Sequence, residues 1–160
     1  FFSDDLVRSK QPCIRQLIDV YNEKKCSVVA LEPVPLDEVN HYGIIKGKRD
    51  GERLYELEEM IEKPCVDDAP SNLAIMGRYI LTPEIFDEIE NTAPGIDQEI
   101  QLTDALRSLL GRQKIYGWVL EGKRYDLSER LGFLKATVEY ALERDDIGEE
   151  FRIYLKELIG

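Results

Sequence analysis

"SVVALE", residues 27–32, decides the fold class. The run is short, continuous and rich in β-branched residues, with no polar alternation. That is the pattern of a strand covered on both faces, as in a parallel sheet. Pro33 and Pro35 end it. Upstream, Ile14, Leu17, Ile18 and Tyr21 recur at helical spacing and predict a helix over 11–24, with Pro12 in its first turn and those four residues on its inner face. Downstream, residues 43–48 and 54–62 flank Asp50-Gly51, a hairpin signal, and residues 73–81 form another apolar strand. Thr82-Pro83-Glu84 predicts a helix start, with Thr82 as the cap and Pro83 at the first helical position. Residues 91–99 read as a loop, 102–110 as a helix, 115–120 as a strand, and Glu121-Gly122-Lys123 as a turn. The last third is helical. Leu131, Leu134, Val138 and Leu142 make one predicted face and Phe151, Tyr154, Leu155 and Leu158 a second, with Gly148 between them. Strands alternating with helices give an α/β class with a mixed sheet.

The 160 residues suit one domain with a real core, and they contain no internal repeat, low-complexity tract or linker. A net charge of −11 and a pI near 4.6 argue against nucleic acid or an anionic membrane as partner, while leaving room for a local basic cluster that holds an anion. No apolar run approaches the roughly 20 residues that cross a bilayer, and no signal peptide is visible. Cys13, Cys26 and Cys65 are an odd number without a CxxC pair, which reads as reduced thiols in a cytoplasmic protein rather than a disulfide framework or zinc site. His41 is the sole histidine, so Cys/His or Ser/His catalysis has only that residue to draw on. Phe1-Phe2-Ser3-Asp4-Asp5 reads as the end of a buried strand whose neighbours lie upstream, so an N-terminal part is expected to be missing.

Three stretches place charge where predicted strands end. Asp4-Asp5 suits Mg²⁺ or merely caps the next segment. Glu62-Lys63 suits a ligand with both hydroxyls and a phosphate, or is a solvated pair. In "GKRYDLSERLGFL", residues 122–134, Asp126 follows a short strand and precedes a helix, as a metal ligand or as a loop acid.

These stretches resemble the bacterial UTP–glucose-1-phosphate uridylyltransferases. "EKPCVDDAPSNLAIMGRYIL" is similar to that family's Glu-Lys-Pro segment with its Ala-Pro-Ser-Asn turn. "PGIDQEIQLTDAL" resembles its Glu-Ile-Gln-Leu-Thr-Asp segment, "NHYGII" its Tyr-Gly strand start, and "GKRYDLSERLGFLKATVEYAL" its metal-and-helix segment. The resemblance covers nearly the whole chain. It implies a Rossmann-like nucleotide-diphospho-sugar transferase fold, a mixed sheet flanked by helices. Residues 1–160 would be the C-terminal, sugar-phosphate-binding part of one nucleotidyltransferase domain, ending in a helical segment from about residue 129. It implies formation of UDP-glucose and pyrophosphate from UTP and glucose 1-phosphate with Mg²⁺, by in-line attack on the α-phosphorus. Carried over by position, Asp4 and Asp126 would hold the metal, Lys63 the sugar phosphate, Glu62 the glucose hydroxyls, and the backbone of Gly43 would approach the sugar. Arg130 stands where the family usually has a phosphate-facing Lys, Ser128 where it has Gly, and Ser3 where it has Pro. Lys63, Asp4 and Asp126 are thus the expected catalytic residues.

The Gly-rich triphosphate loop of the family's N-terminal half is absent from this sequence, so its contacts to UTP are expected upstream. Two rival readings remain: a thymidylyltransferase or other sugar nucleotidyltransferase of the same fold, and a catalytically idle sugar-phosphate-binding or assembly module. Two amphipathic faces after the last strand exceed what one sheet face needs. One of them is a candidate for a homo-oligomer contact, with packing inside the chain the equal alternative.

Overall fold

A computed structural model of the protein describes residues 2–95 and 98–160. They form two compact units, Ser9–Gly122 and Phe2–Arg8 with Lys123–Gly160.

The first unit contains helix α1 (Cys13–Lys24), strands β2 (Ser27–Pro33), β3 (Gly43–Arg49), β4 (Leu54–Glu62), β5 (Leu73–Ile80) and β6 (Ile115–Val119), and helices α2 (Ile85–Asn91) and α3 (Leu102–Leu110). The strands hydrogen-bond in the order β2-β5-β3-β4-β6 and β6 returns to β2, closing the ring. Among the described residues of this unit only β2 and β6 run parallel and the other pairs are antiparallel, so the sheet is mixed.

β2 carries the fold as its sequence requires. Val28, Val29, Ala30 and Leu31 are all fully buried, and alternate residues enter different cores. Val28 and Ala30 join Leu17 and Val20 of α1, together with Ile44 and Met76. Val29 and Leu31 join Ile85 of α2 and Ala105, Leu106 and Leu109 of α3. A strand apolar at every position thus has helices on both sides, each buried aliphatic side chain contributing about 2 kcal/mol.

Several sequence expectations need correction. Pro12 is the cap of α1 rather than a residue of its first turn. The buried stripe of that helix is Cys13, Gln16, Leu17 and Val20, with Ile14 exposed. Gln16 tolerates burial because its polar atoms are matched: Oε1 accepts from Trp118 Nε1 (3.1 Å) and Glu121 N (2.9 Å), and Nε2 donates to the carbonyls of Gln11 and Glu121. Thr82 does not cap α2, which begins at Ile85 without a side-chain cap. Its hydroxyl accepts from Gln113 Nε2 (2.6 Å), a tertiary partner, and pairs locally with the Glu84 carboxylate rather than with the helix backbone. The predicted loop over 91–99 falls partly on residues outside the described ones, as does Phe1.

The second unit pairs β1 (Asp5–Arg8) with β7 (Lys123–Asp126) antiparallel and adds α4 (Arg130–Leu142) and α5 (Gly148–Ile159). Strand β1 begins at Asp5 and Phe2 is exposed, so Asp4 precedes a strand and Asp5 opens it, instead of the two following one. Glu139 of α4 gathers this unit. It accepts from Arg8 (3.0 Å), Tyr125 (2.6 Å) and Lys123. Those hydrogen bonds, Lys123 first and then Tyr125, hold its carboxyl below the usual glutamate range. The predicted apolar face of α4 is split: Leu131 and Leu134 are exposed, Val138 and Leu142 are half-buried, and Ala136 is the helix's buried residue. Arg130, Lys135 and Glu139 interrupt the apolar residues on different sides of the helix, so its sequence pattern does not select one side.

Candidate functional site

The residues singled out in the sequence fall into two groups, one in each unit. In the first, Gly43 opens β3 and pairs in register with Glu62, the last residue of β4. The ladder continues one step further, Lys63 N donating to the Tyr42 carbonyl at 3.0 Å. Pro64 has no N–H to offer and ends the pairing. Lys63 itself takes a left-handed backbone (φ 44°) that a side chain rarely adopts. Strain of this kind concentrates where a side chain must be aimed. Among the described residues neither Glu62 nor Lys63 has a side-chain hydrogen bond or ion pair. An acid and a base adjacent in sequence are therefore both left open to a ligand.

Gly43 is buried, and its missing side chain matters. A Cβ there would lie 2.8 Å from Thr103 Oγ1 and 3.1 Å from Glu62 Oε2. Backbone can approach closely only because the position is glycine.

The Ala-Pro-Ser-Asn turn acts one step back from the site. Ser71 Oγ donates to the Ile45 carbonyl (2.5 Å) and accepts from Leu73 N (3.0 Å). Asn72 Nδ2 donates to the Val34 carbonyl (3.1 Å), and its own carbonyl accepts from Val34 N (2.9 Å). Together they fasten the start of β5 to the end of β2 and to β3. That fixes the strand that bears Gly43.

In the second unit the pairing of β1 with β7 sets Asp5, not Asp4, opposite Asp126. Arg124 lies between the two acids. Its Nε donates to Asp5 Oδ1 and its NH2 to Asp126 Oδ2 (3.2 Å). Both Asp5 and Arg124 are largely buried, so each charge requires the other. The other oxygen of Asp126 accepts from Ser128 N (2.9 Å) and Ser128 Oγ (2.5 Å). Burial opposes ionisation of Asp126, but the Ser128 hydrogen bonds and the Arg124 charge outweigh it and hold the carboxyl below the usual range. Ser128, where a glycine was expected, thus orients the acid two residues before it. Asp4 precedes β1; its carbonyl accepts from Leu127 N (2.7 Å), its side chain is exposed, and among the described residues that side chain has no partner. Arg130 is exposed at the first turn of α4.

Magnesium is commonly held by one or two carboxylates, with waters and substrate phosphates completing the shell. Among the described residues no three acidic, cysteine or histidine side chains converge as a cage. The Asp4 side chain is unengaged and the Asp126 carboxyl is held below its usual range, so each is chemically able to serve as an oxygen donor to such a cation. Asp4 is the freer donor, because Arg124 already engages Oδ2 of Asp126.

Thr103 and Arg124 were not singled out in the sequence, Asp5 was named only alongside Asp4, and Ser128 only as a departure from the family's glycine. Arg124 was within reach, since Arg-x-Asp on a strand puts both side chains on one face. Asp5 and Thr103 were not, because their places depend on pairings between distant segments.

Comparison with known proteins places the chain in a family. The profile of the family described as Nucleotidyl transferase matches residues 1–148. The chain is 46% identical over 156 residues to the UTP–glucose-1-phosphate uridylyltransferase of Staphylococcus epidermidis, covering 97% of this chain and 54% of that protein. Among solved structures it is similar to a UDP-glucose pyrophosphorylase complexed with UDP-glucose (TM-score 0.84, 45% identity, 88% of this chain and 54% of that one). It is likewise similar to the UTP-bound enzyme from Acinetobacter baumannii (TM-score 0.85, 34% identity, 97% of this chain and 54% of that one). The chain spans about half the length of the relatives it matches.

Proposed function

Because the chain belongs to the nucleotidyl transferase family, we propose that the protein containing it joins glucose 1-phosphate to UTP, releasing pyrophosphate and forming UDP-glucose. The observation that carries this reading is the open Glu62-Lys63 pair over Gly43, with Lys63 in a left-handed turn. It supplies an acceptor for sugar hydroxyls and a cation for the sugar's phosphate at one end of one hairpin. The identity to the staphylococcal uridylyltransferase supports the choice of substrates.

In the reaction a phosphate oxygen of glucose 1-phosphate bonds to the α-phosphorus of UTP, and the bond from that phosphorus to the β-phosphate oxygen breaks. Pyrophosphate takes the electron pair. Neither reactant needs a protein nucleophile, so the residues position the reactants and balance charge. Lys63 sets its ammonium against the sugar phosphate and lowers the repulsion between two anions brought together. Glu62 orients the glucose ring by accepting from its hydroxyls, and Gly43 lets the ring close on the backbone. Arg130 contributes a second cation for phosphate. Asp4 and Asp126 would hold Mg²⁺, which when bound neutralises charge on the phosphates. The uridine and triphosphate contacts belong to segments outside this chain. The apolar side chains exposed on α4 and α5 leave a surface for that remainder or for a second copy. None of the three cysteines is in a disulfide, which suits a cytoplasmic setting.

The test is pyrophosphate release by the full-length protein with UTP, glucose 1-phosphate and Mg²⁺, beside dTTP and a control without sugar. Release that requires UTP and glucose 1-phosphate together is expected. Release with dTTP alone would overturn the proposed nucleotide, and no release would favour the idle binding module.

A further inference from the structure

An ionised carboxylate offers about four lone pairs, two on each oxygen. Asp126 accepts hydrogen bonds on both oxygens, and they are shared unequally. Ser128 N (2.9 Å) and Ser128 Oγ (2.5 Å) both donate to Oδ1, which fills it. Among the described residues Oδ2 accepts only from Arg124 NH2, at 3.2 Å. Arg124 is fixed in that position. Its Nε donates to Asp5, and the two side chains are only 13% and 7% exposed. Moving the guanidinium away would strand a buried charge. The lone pair of Asp126 that stays open is therefore on Oδ2.

The Ser128 hydroxyl is what closes Oδ1. The backbone N–H of residue 128 reaches that oxygen whatever side chain it carries, whereas the second bond needs a hydroxyl. Ser128 is exposed, so water could satisfy its hydroxyl, and burial does not force it onto the acid.

Cations differ in what they ask of a carboxylate. Mg²⁺ demands near-octahedral ligands at about 2.0–2.1 Å and keeps several waters, so one oxygen from an acid serves it. Ca²⁺ takes about 6–8 oxygens in looser geometry and readily uses both oxygens of one carboxylate. An acid with one oxygen closed suits the first ion better than the second.

Building on the metal-binding reading above, we propose that Ser128 is a positioning residue for cation selectivity: by closing Oδ1 it restricts Asp126 to ligation through one oxygen and favours Mg²⁺ over Ca²⁺. The Asp4 side chain carries no such restriction, so the discrimination resides at Asp126. One hydrogen bond to a charged group is at stake, and freeing Oδ1 is expected to improve Ca²⁺ relative to Mg²⁺ about tenfold.

The experiment compares the full-length protein with its Asp126→Asn, Ser128→Ala and Ser128→Thr variants, each in the presence of UDP-glucose. Binding of Mn²⁺ is followed by the electron paramagnetic resonance of the free ion, and bound Mn²⁺ is then displaced with Mg²⁺ or with Ca²⁺. Both displacements are made on one sample, so the ratio of the two is independent of how much protein is folded. The expected result is that Asp126→Asn weakens Mn²⁺ binding, Ser128→Ala shifts the ratio about tenfold toward Ca²⁺, and Ser128→Thr, which restores the hydroxyl, keeps the parent's ratio. Weakened binding in Asp126→Asn with an unchanged ratio in Ser128→Ala would overturn this proposal alone. Mn²⁺ bound no more tightly by the parent than by Asp126→Asn would remove Asp126 from the metal shell and overturn the metal-binding reading with it.

Discussion

Gly132→Ala sets two effects of opposite sign against each other. Gly132 is the third residue of α4, where alanine normally favours a helix by up to about 1 kcal/mol, less near a terminus. Here, however, an added Cβ would overlap the Asp126 carbonyl oxygen and lie 3.0 Å from the carbonyl carbon. Both obstructing atoms are backbone at the end of β7, so no side-chain rotation relieves them. The first turn of α4 must withdraw from the strand. Overpacking of this kind costs typically 1–3 kcal/mol, which exceeds the helical gain. The expected net is destabilisation by about 1–2 kcal/mol, or roughly 2–8 °C in melting temperature. Thermal unfolding followed by circular dichroism measures it. Gly51→Ala serves as the control, because its Cβ would meet only Leu54 Cβ at an ordinary 3.5 Å. That variant is expected within about 0.5 kcal/mol of the parent. A Gly132→Ala protein that melts with the parent or above it would refute the close approach of α4 to Asp126.

Lys63→Ala and Lys63→Gly should both lose most turnover while folding normally. The glycine variant should melt above the alanine variant, since the left-handed backbone costs alanine about 1 kcal/mol and glycine almost nothing. Near-parent turnover in either variant would remove Lys63 from the site. Asp126→Asn should raise the magnesium concentration that gives half-maximal turnover, and an unchanged titration would count against its ligand role. Glu139, whose carboxyl is held below its usual range by Lys123 and Tyr125, stabilises the fold above the carboxyl's unfolded value and ceases to do so as pH falls through the lower folded one. Glu139→Gln should therefore flatten the acid side of a plot of stability against pH. An acid limb as steep as the parent's would disprove the linkage.

The first unit was legible in the sequence to the extent that its signals are local. Residues 27–32 announced a strand buried on both faces, and that is how Val28 through Leu31 are divided between two cores. Gly43 was grouped with Glu62 and Lys63 only by the family resemblance, and the short-range hairpin does set it opposite Glu62. Where distant partners decide, the sequence misled. Burial of Gln16 rests on Trp118 and Glu121, about a hundred positions away, so the inner face of α1 came out rotated. Asp5 lies opposite Asp126 only once β1 and β7 pair, and nothing in Phe1-Phe2-Ser3 signals that strand. The side buried by α4 was unreadable for a different reason: apolar residues and the charges of Arg130, Lys135 and Glu139 are interspersed around the whole helix.

The hydrogen bond from Trp118 to Gln16 has an optical consequence. Trp118 is the only tryptophan in the chain, and it belongs to the unit formed by residues 9–122. Its indole is partly buried and tied through Gln16 to the carbonyl that precedes Gly122. The other unit absorbs and emits only through phenylalanine and tyrosines such as Tyr125, Tyr140 and Tyr154. Excitation at the red edge of the aromatic band therefore interrogates one unit alone, while the far-ultraviolet helical signal sums over both. Superimposed denaturation curves from the two signals would mark a single cooperative transition, and displaced curves would time the two units separately. Without any added label, the chain's fluorescence follows the unit that carries Glu62 and Lys63 independently of the unit that carries Asp4 and Asp126.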